Sequence, residues 1–357
     1  MPVILDTKKD VAQLTKDICD IFSVSGNETE LADAIEATLR ETNHLEITRL
    51  GDAIIARTNL NRGKRVIIAG HIDTVPVADN LPTKFIELAG KQMLWGRGTV
   101  DMKAGVAVQL KLAVELAEPN VDITWVFYDH EEVDSELNGL GRVSRTNPEY
   151  LVGDFAVLCE PSNARVEGGC NGTLRAEIRL AGKKAHSARP WMGENALHKA
   201  AEPLAILANF TPEEIEVDGL VYRESLNAVL MSSGIAANVI PDEAVITVNY
   251  RFAPSKNSAQ AEAQIRELFE GYEVEITDRA DGARPGLDLP EAQAFIKQTE
   301  GEPAPKYGWT DVARFSALGI PAVNFGPGDP NKAHADDEAV ELEQIYACER
   351  ALRAWLS

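Results

Sequence analysis

The sequence predicts an α/β protein whose main sheet is interrupted by a smaller α+β domain. Three short apolar runs, residues 65–70, 123–128 and 155–159, are typical of strands that are covered on both faces. Residues 102–116 are typical of a helix, so strands and helices alternate along the chain. From about residue 173, apolar and polar residues alternate instead, which indicates strands with one face in water.

The chain length agrees with two domains, because a domain typically has about 150 residues and the chain has 357. We predict that residues 1–172 and 284–357 form the main domain and that residues 173–283 are inserted into it. The first elements are two amphipathic helices. Val11 and Leu14 recur at helical spacing in the first helix, and Asn27 is placed to cap the second.

The later elements change character with the predicted domain. The inserted segment contains predicted strands at residues 174–180 and 244–250 and predicted helices at residues 195–209 and 259–268. After residue 284 the pattern of the first part returns, with a strand at residues 320–325 and a final helix from Glu341.

The composition excludes several classes of partner. With 35 basic and 56 acidic residues the net charge is -21, so the surface repels nucleic acids and anionic membranes. The sequence has neither a secretory leader nor an apolar run of about 18 residues, and we expect a cytoplasmic protein. Four cysteines without a C-x-x-C pair are expected to be buried thiols. Whether some of the acids bind cations stays open at this point.

Residues able to bind a metal follow each of the three buried strands. His71 and Asp73 follow the first strand, Glu131 and Glu132 follow the second, and Glu160 follows the third. Ligands of open α/β sheets bind outside the carboxyl ends of the strands. Each residue taken alone is compatible with an ordinary surface position, but their common placement favours a metal site.

Two loops add further candidates. Residues 96–105 are glycine-rich but lack the third glycine of a dinucleotide fingerprint, so we interpret them as a tight turn that presents Asp101 at a helix start. A simple N-cap role for Asp101 is the alternative. His334 lies in a second loop rich in glycine and proline.

These segments resemble the M20 family of dinuclear zinc hydrolases. The resemblance is carried by Gly-His-Ile-Asp-Thr-Val-Pro at 70–76, Gly-Arg-Gly-Thr-Val-Asp-Met-Lys-Ala-Gly at 96–105, Asp-His-Glu-Glu at 129–132, Glu-Pro-Ser at 160–162 and the late histidine. It implies a zinc-aminopeptidase-like catalytic domain, with a mixed sheet flanked by helices, in the two outer segments. It also implies that the inserted α+β sandwich domain forms a homodimer.

The resemblance further implies two Zn²⁺ ions per subunit, with Co²⁺ as an alternative. His71 and Glu160 would bind one ion, Glu132 and His334 the other, and Asp101 would bridge the two.

The remaining implied roles concern catalysis and substrate binding. Asp73 would orient the first histidine, Glu131 would be the general base, and His186 would stabilise the oxyanion in the active site of the partner subunit. Substrate contacts are implied for Asn238, Arg251, Trp309 and Thr310. Arg189 departs from many family members, which leaves the pocket contacts there open.

The implied substrate is a small N-acyl diamino acid. Within the family, the chain is similar to enzymes that cleave N-succinyl-LL-2,6-diaminopimelate to succinate and LL-2,6-diaminopimelate in lysine and peptidoglycan precursor synthesis. Another M20 amidohydrolase, such as an acetylornithine deacetylase, an aminoacylase or a carboxypeptidase, is the sibling alternative. A metal-binding scaffold without catalysis is the alternative from a different class, but a scaffold has no need of the non-ligand Glu131.

Overall fold

The computed structural model describes residues 3–357. Its strands are β1 (Glu46–Leu50), β2 (Ala53–Arg57), β3 (Arg65–His71), β4 (Lys84–Leu88), β5 (Lys91–Trp95), β6 (Asp122–Tyr128), β7 (Phe155–Leu158), β8 (Glu167–Gly168), β9 (Gly172–Ala181), β10 (Ala185–His186), β11 (Glu214–Val217), β12 (Leu220–Arg223), β13 (Ser225–Ser233), β14 (Val239–Ile240), β15 (Glu243–Phe252), β16 (Glu273–Ala280), β17 (Ala304–Pro305), β18 (Ala322–Asn324) and β19 (Ala339–Glu341).

The helices are α1 (Val11–Cys19), α2 (Thr29–Arg40), α3 (Lys103–Glu115), α4 (Gly139–Thr146), α5 (Ala196–Lys199), α6 (Ala201–Asn209), α7 (Ser258–Leu268), α8 (Pro290–Ile296), α9 (Val312–Ala317) and α10 (Leu342–Leu356), with short 3₁₀ turns at Pro148–Leu151, Pro190–Met192 and Pro330–Lys332. None of the helices within residues 3–357 combines the length and apolar character needed to cross a membrane.

The chain forms two compact units. The first consists of three segments, Met1–Gly168, Gly286–Ala304 and Arg314–Ser357, and the second consists of Gly169–Pro285 and Pro305–Ala313. We predicted all of residues 284–357 for the main domain, whereas the contacts assign residues 305–313 to the second unit. Within that unit the Asn171 N–H donates to the Lys306 carbonyl at 3.2 Å, which ties this short segment to the start of β9.

The first unit is built around a mixed sheet of eight strands in the order β1-β2-β6-β3-β7-β18-β8-β17. The three predicted apolar strands are its centre, where β3 runs parallel to both β6 and β7. Helix α3 is buried along nearly its whole length and packs beside α1, α2 and α10. Gly105 permits its close approach to the sheet, because an added Cβ would lie 2.3 Å from the Cys159 carbonyl oxygen.

The second unit contains a four-stranded antiparallel sheet in the order β13-β15-β9-β16. Helices α5, α6 and α7 contact this sheet. Its core is formed by apolar side chains that alternate along β9 and β15, including Leu174, Ile178, Ile246 and Tyr250. The residues between them lie on the opposite, more exposed face of the sheet.

The predicted α/β class with a large mixed sheet is confirmed, and the four cysteines are buried free thiols as predicted. The predicted cap of the second helix is wrong. Helix α2 begins at Thr29 with Glu28 at the N-cap position, and no side chain caps it. The Glu28 carboxylate instead accepts the backbone N–H of His130 at 3.2 Å, so a long-range contact replaces the local one.

Candidate metal centre

Three adjacent strands end at one edge of the main sheet and deliver the predicted ligands there. His71 is the last residue of β3, the segment with Glu131 and Glu132 follows β6, and Glu160 lies two residues beyond β7. Because β3 is parallel to both neighbours, their carboxyl ends meet at the same edge. Sheet topology therefore brings together residues that are up to 89 positions apart in the chain.

Asp101 reaches this edge from the loop before α3, and a buried glutamate holds that loop. One carboxylate oxygen of Glu338 accepts the backbone N–H groups of Val100 at 2.8 Å and Asp101 at 3.1 Å. Its second oxygen accepts from Arg97 Nη1 at 2.8 Å. Sequence reasoning missed Glu338; its position four residues after His334, in the same loop, is the signal that could have identified it.

The distances among the predicted ligands are short. His71 Nε2 lies 3.0 Å from Asp101 Oδ1, while His334 Nε2 lies 3.3 Å from Asp101 Oδ2. His334 Nε2 also lies 3.0 Å from Glu132 Oε1. The two carboxylate oxygens of Asp101 thus face two different histidines, which is the arrangement that a ligand shared by two ions requires.

Two overlapping donor groups result. His71, Asp101 and Glu160 place one potential ligand atom each within 4.8 Å of one another, and so do Asp101, Glu132 and His334. Imidazole nitrogen and carboxylate oxygen suit Zn²⁺ and related divalent ions. The donor set therefore fits two metal ions that share Asp101.

Asp73 is fully buried and holds the strand-end residues in place. Its Oδ1 accepts the N–H of Glu131 at 3.0 Å, and its Oδ2 accepts the N–H of Glu132 at 3.1 Å and the Ser25 hydroxyl at 2.7 Å. Burial alone would raise the pKa of Asp73, but hydrogen bonds, above all with His71, lower it to about 2. This carboxylate stays ionised and fixes the turn after β6.

The orientation of the His71 ring suits metal binding. Its Nδ1 lies 3.1 Å from the carbonyl oxygen of Asp73, and because a carbonyl only accepts, Nδ1 donates and carries the proton. The neutral ring then has a lone pair on Nε2, which faces Asp101.

The electrostatics of the cluster favour positive charge. Hydrogen bonds with Asp101 and Glu132 raise the pKa of His334 to about 10. Burial would lower the pKa of His71, but Asp101 and Asp73 raise it well above its usual value. A concentration of carboxylates that stabilises protons on both histidines also attracts divalent cations.

Glu131 lies beside these ligands. One of its carboxylate oxygens, one of Glu132 and a ring nitrogen of His71 lie within 4.8 Å of one another. Glu131 is therefore a further potential donor beside the two groups that share Asp101.

The residues predicted for oxyanion and substrate binding all belong to the second unit. His186 is exposed, and its Nδ1 accepts the N–H of Ala188 at 3.0 Å, which leaves Nε2 pointing away from that turn. Asn238 is exposed immediately before β14, and its carbonyl accepts the Ser187 N–H at 2.9 Å. Arg189 is exposed in the same loop region, and its substrate role stays open.

The other three predicted substrate residues are partly or fully buried. Arg251 Nε donates to Asn249 Oδ1 at 3.0 Å, and Trp309 Nε1 donates to the Asp281 carbonyl at 3.1 Å. Thr310 is buried, with its carbonyl 3.7 Å from Cys170 Sγ.

Comparison with known proteins agrees with this architecture. A Corynebacterium glutamicum succinyl-diaminopimelate desuccinylase is 44% identical over 364 residues, covering 99% of this chain and 98% of that protein. A Mycobacterium tuberculosis protein to which the same activity is assigned provisionally is 50% identical over 355 residues, covering 99% of both chains.

Solved structures share the fold at low sequence identity. A Staphylococcus aureus tripeptidase superposes with a TM-score of 0.80 at 19% identity, covering 99% of this chain and 98% of the other. A Bacillus subtilis peptidase described as binding a dinuclear metal superposes with a TM-score of 0.68 at 17% identity, covering 97% and 96%. Residues 67–357 match the profile of peptidase family M20/M25/M40, and the chain belongs to this family.

Proposed function

We propose that this protein hydrolyses N-succinyl-LL-2,6-diaminopimelate to succinate and LL-2,6-diaminopimelate, a step of lysine and peptidoglycan precursor synthesis. The observation that carries the proposal is the similarity to the two bacterial relatives, which extends over nearly the whole length of the chain. The paired donor groups around Asp101 support a metal-dependent amide hydrolase. A biosynthetic role of this kind favours the cytoplasm as its location.

Two Zn²⁺ ions are the proposed cofactors, with Co²⁺ as an alternative. His71 and Glu160 would hold one ion and Glu132 and His334 the other, with Asp101 shared between them. Bound zinc supplies Lewis acidity, which polarises an amide carbonyl and lowers the pKa of a water toward about 7.

Glu131 is the proposed general base and then general acid. Its carboxylate takes a proton from the attacking water and returns it to the nitrogen of the amine that leaves. The backbone of Glu131 is fixed by its N–H bond to Asp73, so the carboxylate is positioned before substrate binds.

Arg251 is the proposed carboxylate-binding residue of the second unit. Burial and the nearby charge of Arg175 lower the pKa of its guanidinium. It lines a cavity of about 570 Å³ together with Asn171, Arg223 and Tyr307. A guanidinium in a cavity offers the bidentate geometry that a substrate carboxylate requires.

A homodimer through the second unit completes the proposal. Helix α6 is apolar on most of its surface, yet Pro203 is the only one of its residues that is buried. The neighbouring edge strand β13 exposes Val229, Leu230 and Met231, with Leu230 exposed to 69%. Apolar edge strands are normally covered, so a second copy of this surface is the proposed partner. In such a dimer His186 would serve the partner's active site.

A substrate panel on the zinc-loaded enzyme tests the proposal. Equal concentrations of N-succinyl-LL-2,6-diaminopimelate, N-acetylornithine, an N-acetylated apolar amino acid and a dipeptide are compared by release of the free amine. We expect the highest kcat/KM for the succinylated diamino acid. Preference for another compound would reassign the substrate within the family, and hydrolysis of none of them would favour a metal-binding scaffold.

A further inference from the structure

The exposed face of the second unit's sheet carries a short ladder of polar side chains beside Arg251. Asn249 Nδ2 donates to Thr173 Oγ1 at 3.5 Å, and Asn249 Oδ1 accepts from Arg251 Nε. This bond occupies Nε and leaves the two terminal amino groups of the guanidinium for another partner. Asn249 is thus a positioning residue for the fork of Arg251.

Arg175 lies next to this ladder on the same face. In the antiparallel register of β9 and β15, Thr173 is opposite Arg251 and Arg175 is opposite Asn249. Directly paired residues point to the same side of a sheet, so the two arginines are diagonal neighbours, about 7–8 Å apart. Long side chains reach each other across such a distance.

Within the part of the chain that the structure describes, neither guanidinium has a carboxylate within ion-pair distance, although the charge of Asp278 acts on Arg251. Arg175 forms no ion pair or side-chain hydrogen bond there, although Asp278 is opposite it on β16. Arg251 has the bond to Asn249 but no carboxylate within ion-pair distance. Adjacent like charges destabilise a sheet, and this chain has an excess of 21 negative charges with which to neutralise them.

Arg179, on the same strand, is an arginine whose charge is paired within the protein. It lies on the same face of β9, four residues after Arg175, and pairs with Glu177 at 2.5 Å and Glu275 at 3.0 Å. Arg179 therefore forms ion pairs with its acidic neighbours, whereas Arg175 forms none with Asp278, the residue opposite it on β16.

We propose that Arg175 is a specificity-determining residue, which together with Arg251 binds two separate carboxylate groups of one substrate molecule. This inference rests on the proposed function, because N-succinyl-LL-2,6-diaminopimelate carries a succinyl carboxylate and two α-carboxylates. Arg251 binds one of them through its free fork, and Arg175 binds a second. An acyl-amino acid with a single carboxylate leaves one of the two guanidiniums without a partner.

The test compares Arg175→Gln with Arg179→Gln in the zinc-loaded full-length enzyme. Both changes remove one positive charge from the same face of β9, but only the first removes an unpaired one. For Arg175→Gln we expect KM to rise about tenfold or more with kcat within about threefold, because a charge-assisted hydrogen bond to bound substrate is lost. For Arg179→Gln we expect KM to change less than twofold.

The N-succinyl and N-acetyl forms of diaminopimelate identify the carboxylate. A rise in KM for both assigns Arg175 to an α-carboxylate, and a rise for the succinyl form alone assigns it to the acyl carboxylate. Arg175→Lys retains the charge and is expected to recover part of the loss. A KM within twofold of the wild-type value on both compounds would overturn the proposal.

Two further measurements separate this proposal from its alternatives. Removal of Arg175 relieves repulsion, so the Tm of Arg175→Gln should equal or exceed that of the wild type, whereas a structural ion pair would lower it. Calorimetric titration with succinate measures binding without turnover. Its Kd should rise about tenfold in Arg175→Gln if Arg175 binds the acyl carboxylate, and should stay unchanged if Arg175 binds an α-carboxylate. This binding measurement remains valid even if the substrate panel identifies a different acyl group. An unchanged Kd together with an unchanged KM would show that Arg175 does not bind the substrate.

Discussion

The main sheet's carboxyl edge concentrates negatively charged side chains, whereas the second unit's exposed sheet face carries neighbouring positively charged ones. At the edge, carboxylates cluster around two histidines and are fixed by hydrogen-bond partners, such as Ser25 for Asp73 and Arg97 for Glu338. On the sheet face, Arg175 and Arg251 stand beside each other without carboxylate partners. We infer from this comparison that carboxylates gathered around two histidines suit bound cations, and that neighbouring arginines without ion-pair partners suit bound carboxylates.

The largest effect is expected at the edge, from Glu131→Gln. The amide keeps the size of the side chain but cannot take a proton, so turnover should fall by about 10²–10⁴. Zinc content by mass spectrometry should stay at the wild-type value, because the proposed ligand sets do not include Glu131. Retained turnover would show that Glu131 is not the general base, and loss of zinc would show that Glu131 is a metal ligand.

The next effect tests whether the second unit contributes to the chemistry of another subunit. His186→Ala should lower kcat by about 10²–10³, as expected for loss of one oxyanion donor. His198→Ala, an exposed histidine of the same unit, is the control and should leave kcat unchanged.

Mixed dimers sharpen this test. When His186→Ala and Glu131→Gln chains are combined, one of the two sites receives both intact residues, provided that the histidine comes from the partner. Activity should then reappear on mixing two inactive variants. Absence of complementation in verified mixed dimers would place His186 outside the partner's site.

A smaller effect is expected from the buried support of the edge. Glu338→Gln removes the negative charge that pairs with Arg97 and weakens the hydrogen bonds from the backbone N–H groups of Val100 and Asp101. Loss of such supporting contacts typically lowers metal affinity about 10–100-fold. Competition with a zinc chelator measures the change, and exposed Glu343→Gln provides the control. Equal affinities for both variants would show that the loop holds Asp101 without Glu338.

The two regions also differ in how far the sequence alone could predict them. The strand-end positions of His71, Glu132 and Glu160 follow from local patterns, because apolar runs mark buried strands and ligands gather at their carboxyl ends. Glu338 could not be assigned in the same way, since its partners Val100 and Asp101 lie more than 200 residues earlier in the chain.

Local patterns were less informative for the second unit. The helix predicted at 195–209 is divided at Ala200 into α5 and α6, and Pro203 lies in the first turn of α6, where a missing N–H is tolerated. The adjacency of Arg175 and Arg251 depends on the register of β9 against β15, which pairs residues about 75 positions apart. Sequence periodicity gives the face of a strand but not its partner.

The most direct test of the account is the number of metal ions per chain. Wild-type protein is saturated with Zn²⁺, desalted and analysed by mass spectrometry, beside Asp101→Ala and the exposed control Asp336→Asn. We expect two ions per chain in the wild type and the control, and clearly fewer in Asp101→Ala, because both donor groups include this residue. A single ion in the wild type, or two ions retained by Asp101→Ala, would contradict it.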